Sequence, residues 1–203
     1  MKFLHIVLLV ALVLGGVKLV IGIDREMAKY ETLSPERAVA ALPGVGEGWL
    51  DTLRMVAGDA VVEPISPIMV ADEGLYLLGV TEPWHQIISI NTDMTAYPRF
   101  IRASKLWGEG FGYQHPLALC NPAGVTAHEF GHRWKETLWP HGEVREGGDT
   151  LPVWAQGNPE EFADRFSRAM MVLRGWDVPD PQDLLLTHIV RMRLVLALAD
   201  RGR

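Results

Sequence analysis

Apolar residues are distributed along this chain in three different ways: one long run at the start, short extended runs in the first half, and helical stripes that dominate the second. Phe3 to Ile23 is apolar apart from His5 and Lys18, with Lys2 in front. As a helix it measures about 31 Å, close to a bilayer core. It is expected to be an uncleaved apolar anchor helix or, alternatively, an export signal cut near Val20-Ile21-Gly22. Asp24 to Glu31 is charged and reads as the exit from that segment. Ser34-Pro35 then supplies an N-cap followed by proline at the first helical position, and Pro43-Gly44 ends this short helix. Trp49, Leu50, Leu53, Val56 and Ala57 share one helical face, stopped by Gly58-Asp59. Three extended stretches follow: Val61 to Ala71, Leu75 to Val80, and His85 to Asn91. Pro64 and Pro67 suit an edge or irregular strand in the first, and Asp72-Glu73-Gly74 turns the chain into the second.

In the second half the period changes to that of a helix. Asn121-Pro122 and Asn158-Pro159 are matching start signals, each an Asn suited to cap a helix with Pro behind it. The first predicts a helix from Pro122 to Leu138, closed by Pro140, with Ala127, Phe130, Trp134 and Leu138 turned to the core. The second predicts Pro159 to about Arg174 with Gly175 after it, burying Phe162, Phe166, Ala169, Met170 and Leu173. A closing helix from Asp183 to Ala199 would pack through Leu184, Ile189, Met192, Leu196 and Ala199. The fold class is therefore α+β: a small sheet, a central helix and a helical C-terminal part.

Within the helix from Pro122 stands His128-Glu129-Phe130-Gly131-His132. The i, i+4 spacing puts both imidazoles on one face, about 6 Å apart along the axis, within reach of one tetrahedral cation. Glu129, beside that face, can take a proton from a water without binding the ion. Such a site needs a third protein ligand and an open corner for water. Glu160 and Glu161 compete for the role. Glu161, three residues after Asn158, can instead close a capping box, whereas Glu160 lies one turn before Asp164. Glu160 is preferred on that ground; His141, Glu143 and Glu146 sit in a loop, which positions a ligand less well. Asp164 either orients the imidazole of His128 or pairs with Arg165 or Arg168 on the surface. His85 has no partner at metal-ligand spacing, and His188 reads as a partly exposed helix residue.

His-Glu-Phe-Gly-His followed by Glu160-x-x-Ala163-Asp164-x-Phe166 resembles the gluzincin metallopeptidases, most of all their lethal-factor-like branch. The resemblance spans residues 125–170. It implies a zincin-like fold, zinc bound by His128, His132 and Glu160, Glu129 as general base, and Asp164 supporting a motif histidine. It also implies that an edge strand beside the metal helix pairs with extended substrate, for which His85 to Asn91 is the candidate. Family members carry a Tyr shortly before the ligand Glu, where this chain has Val153 and Trp154. The oxyanion donor is then sought in the glycine- and aromatic-rich loop Gly108 to Pro116, at Tyr113 or His115.

Composition narrows the partners. A net charge of −6 over 203 residues, with no basic run, argues against nucleic acid. Gly44, Gly46 and Gly48 lack the Lys-Ser/Thr ending of a phosphate loop. The single Cys120 permits no internal disulfide and reads as a small buried apolar residue. The expectation is a segment at 1–23 that anchors or exports a zinc metallopeptidase domain at 24–203. The catalytic part lies outside the cytoplasm, tethered to the membrane or secreted after cleavage, and acts on peptide or protein. Two rivals share parts of this pattern: a zinc hydrolase of a non-peptide bond, and a non-catalytic membrane-anchored binding protein.

Overall fold

Where the sequence changes period, the chain changes element, as the computed structural model shows. It describes residues 34–65, 77–82, 86–107, 116–138, 158–176 and 184–202. The run at 1–23 and its boundary, and the loops holding His85, Tyr113, His115, His141, Glu143 and Glu146, lie outside these. Among the described residues no helix is long and apolar enough to cross a membrane. The elements are α1 (Pro35–Ala40), α2 (Gly46–Ala57), β1 (Val61–Pro64), β2 (Gly79–Glu82), β3 (Ile87–Ile90), α3 (Ala96–Trp107), a 3-10 turn (Leu117–Leu119), α4 (Pro122–Leu138), α5 (Pro159–Leu173) and α6 (Leu184–Arg201). The architecture is mixed α+β, mostly helical, with a small three-stranded sheet.

α2 buries the stripe its sequence predicts, Trp49, Leu50, Leu53, Val56 and Ala57. Gly58, at φ 94°, ends it in a conformation that glycine adopts without strain. The sheet has the order β1-β3-β2, with β1 parallel and β2 antiparallel to β3. Pro64 accordingly lies on an edge strand, where a missing N–H breaks no ladder.

The sheet corrects one expectation. β3, the core of the stretch His85 to Asn91, is paired on both sides and buries Ile88, Ser89 and Ile90. It has no free edge to offer a substrate. Ile87, Ile88 and Ile90 form the near-continuous apolar run of a strand covered on both faces. The edge strand next to α4 is β2.

α3 has no counterpart in the sequence reading. Its start is fixed by local side-chain bonds: the Asp93 carboxylate accepts from the Thr95 N–H at 2.8 Å, and Tyr97 donates its hydroxyl to the Asn91 carbonyl at 2.9 Å. Pro98, three residues into this helix, is harmless there because the first-turn amides have no intrahelical acceptor.

α4 and α5 form the centre of the molecule. Trp134 of α4 meets Phe162 and Phe166 of α5 at ring-centroid distances of 6.0 and 5.3 Å. Their backbones nearly touch at Gly131: a Cβ there would lie 2.8 Å from the Cα of Ala163. Gly131, just before the second histidine of the His-Glu-Phe-Gly-His motif, is therefore what lets the second helix come this close to the first.

α6 packs with a different rotation from the one its sequence suggests. It buries Leu186 and Val190, with Ile189 and Leu194 partly covered, whereas Leu184, Met192 and Leu196 are 77%, 50% and 60% exposed. Ala199 is exposed as well. A helix apolar on nearly every side contains no phase to read. Arg193 sets the rotation: its guanidinium lies 5.1 Å from the Trp134 ring centroid, and Nε donates to the Val56 carbonyl at 2.9 Å.

Candidate metal centre

The three candidate ligands come from two helices, each with a capped start. Asn121 accepts the Gly124 N–H at 3.0 Å through Oδ1, and Asn158 accepts the Glu160 N–H at 3.0 Å. Both caps satisfy amides that a first turn leaves open, so each helix begins at a defined residue. Two turns into α4, the His128 and His132 rings face each other edge-on, with centroids 4.7 Å apart. In the first turn of α5, Glu160 reaches back across the helix contact. Its Oε2 is 3.3 Å from His128 Nε2 and its Oε1 is 3.4 Å from His132 Nε2. Glu161, one residue on, is exposed.

Asp164 follows Glu160 by one turn and is 2% exposed. Its Oδ1 lies 2.7 Å from His128 Nδ1, so the imidazole donates there and Nε2 is the nitrogen turned to the site. Of the two roles open to Asp164, the structure places it on the imidazole.

The spacing fits a tetrahedral ion. Bonds of about 2.0–2.1 Å put neighbouring donor atoms about 3.3 Å apart. The three separations here are 3.0, 3.3 and 3.4 Å. Burial would by itself lower the His128 pKa, but hydrogen bonds to Asp164 and Glu160 and the nearby Glu129 charge push it up to about 10. The Glu160 carboxyl is held well below the usual carboxylate range, first by its bond to His128 and then by that to His132. Three carboxylates around two imidazoles make a site that favours positive charge; protons supply some in the metal-free protein, and a divalent ion would compete for the same lone pairs. His128, His132 and Glu160 together could hold a metal ion.

No family model matches this chain, and neither does any curated protein or solved structure.

The site opens into a cavity of about 430 Å³. Glu129, 5% exposed, lines it beside the three ligand candidates. Leu77 and Leu78 from the approach to β2, Phe100 of α3, and Leu119, Cys120 and Val125 form its apolar side. Burial, with the charge of Asp164 adding to it, pushes the Cys120 thiol up to about 12, which keeps it protonated. It is the small buried residue its sequence suggested. Gly79 and Thr81 of β2 also line the cavity, and the sequence reading assigned them nothing. One signal was present: a glycine inside an extended run marks a place where something approaches the backbone closely.

Proposed function

We propose that this protein is a zinc-dependent endopeptidase with a zincin-like site. The observation that carries the reading is the convergence of two imidazole nitrogens and one carboxylate at tetrahedral spacing, with a further buried carboxylate in the same cavity. His128, His132 and Glu160 would hold the ion: three protein ligands and an open corner are the pattern of a catalytic rather than a structural zinc site. Bound there, zinc would supply a Lewis acid that acidifies a water molecule and polarises a carbonyl. Glu129 takes the proton of the attacking water and delivers it to the leaving nitrogen. Asp164 keeps the His128 ring in one tautomer and one orientation. Oxyanion stabilisation falls to Tyr113 or His115, so Tyr113→Phe should lower turnover and leave zinc content unchanged.

A peptide is favoured over other amides or esters by the position of β2. Asn91 donates its N–H to the Leu78 carbonyl at 2.9 Å, so the antiparallel alternation turns the Val80 main chain toward β3 and those of Gly79 and Thr81 outward. Among the described residues no strand pairs with that outer side. An extended substrate added there would run alongside the cavity, held by main-chain bonds that require no particular side chain. The run at 3–23 would tether this activity to a membrane or export it, with the catalytic part outside the cytoplasm; protease accessibility in intact cells tests that placement.

The full chain, purified with and without added zinc, should cleave unstructured peptides only when loaded. Glu129→Gln should retain about one zinc per chain and lose turnover by about 10²- to 10⁴-fold, whereas Glu160→Gln should fail to retain the metal. Zinc-loaded protein that hydrolyses esters but no peptides would overturn the peptide assignment. A chain that binds no zinc would overturn the enzyme.

A further inference from the structure

The side chain of Glu129 occupies a slot cut by one strand. Residues two apart on a strand point to the same face, and β2 presents Gly79 and Thr81 to α4 in this way. At Gly79 the slot is open only because there is no side chain: a Cβ would lie 2.5 Å from Glu129 Oε1, 2.7 Å from Cγ and 2.9 Å from Cδ. At Thr81 it is closed by a donor. The hydroxyl oxygen is 2.7 Å from Glu129 Oε2 and 2.9 Å from the Glu129 carbonyl oxygen.

These two contacts act on different oxygens of the same carboxylate. A threonine hydroxyl has one proton, and the contact to Oε2 is the shorter of the two, so the bond goes to the carboxylate. Oε1 is held on the other side by the backbone at Gly79. A carboxylate on a two-carbon stem otherwise has several rotamers, and only some keep it in the cavity. Holding a catalytic group in one geometry contributes directly to rate, because misplacement by about 1 Å can cost a hundredfold.

We propose that Thr81 is the positioning residue of the general base, locking the Glu129 carboxylate through Oε2 in a slot whose width depends on Gly79. The inference rests on the peptidase reading for its effect on rate, but not for its effect on the carboxylate's position. In this role the Thr81 side chain touches neither substrate nor metal ligand; it acts through Glu129. Valine has the shape of threonine without the donor, and serine keeps the donor, so the two variants separate the hydroxyl from packing.

The test compares Thr81→Val, Thr81→Ser and Gly79→Ala in the full zinc-loaded chain by zinc content, kcat and KM, and crystal structures of the two Thr81 variants. Thr81→Val should keep its zinc and its KM, lose about 10- to 100-fold in kcat, and show the Glu129 carboxylate turned out of the slot or split between conformers. Thr81→Ser should return kcat to within a few-fold and the carboxylate to its place. Gly79→Ala should lower kcat with metal retained. Thr81→Val with wild-type kcat and an unmoved carboxylate would overturn the proposal, as would serine failing to rescue. If the wild-type chain holds zinc but cleaves no peptide, the peptidase reading fails separately, and the position of Glu129 in the valine and serine structures decides for or against Thr81.

Discussion

α4, 17 residues long, and α6, 18 residues long, both carry large apolar side chains, yet the molecule uses them in opposite ways. α4 is buried on two sides, against α5 through Trp134 and Gly131 and against β2 through Glu129. α6 buries only Leu186 and Val190 and leaves most of its apolar surface open. What separates them is chemistry in the cross-section. On α4 a polar face must meet a carboxylate from a second helix, so rotation and depth are both fixed. On α6 any rotation would bury some leucine, and one arginine settles the matter.

If that contrast is right, substitutions should divide sharply by helix. Trp134→Ala removes the ring between Phe162 and Phe166 and should cost about 3–5 kcal/mol in urea unfolding, with zinc retention impaired. Within α6, Leu186→Ala should cost about 2–5 kcal/mol, because that side chain is fully buried. An equal cost for Leu196→Ala would mean the helix sits in another rotation. Asp164→Asn keeps the shape of the residue but weakens the hold on His128, and should lower zinc affinity by about 10- to 100-fold with little change in fold. Gly131→Ala forces a methyl group against Ala163 and should cost about 1–3 kcal/mol, accompanied by looser metal binding as α5 is pushed away. The smallest effect belongs to Leu196→Ala itself, expected within about 0.5 kcal/mol of wild type.

The same contrast explains how much of the fold is legible in the sequence. The bounds of α4 and α5 were legible because Asn-Pro pairs mark their starts and the stripes through Phe130, Trp134, Phe162 and Phe166 have a clear period. The preference for Glu160 over Glu161 came from its spacing to Asp164, and the structure brings both Glu160 and Asp164 to the histidines. α3 was hidden by Asn91, Asp93 and Pro98, residues that locally favour turns and here form a helix start. Strand order was not legible, because pairing depends on contacts distant in sequence. The buried run at Ile87–Ile90 nonetheless contained a hint of a central strand. The contact of Thr81 with Glu129 joins positions 48 residues apart, and nothing near either one announces it.

The most direct measurement of the central claim is a zinc-edge anomalous difference map from crystals of the zinc-loaded chain. The proposed centre requires one peak per chain, bonded at about 2.0–2.2 Å to Nε2 of His128, Nε2 of His132 and a carboxylate oxygen of Glu160. Glu129 should lie beside the open corner without binding. A peak elsewhere, a zinc ion ligated by Glu129 in place of Glu160, or no peak at all would contradict it.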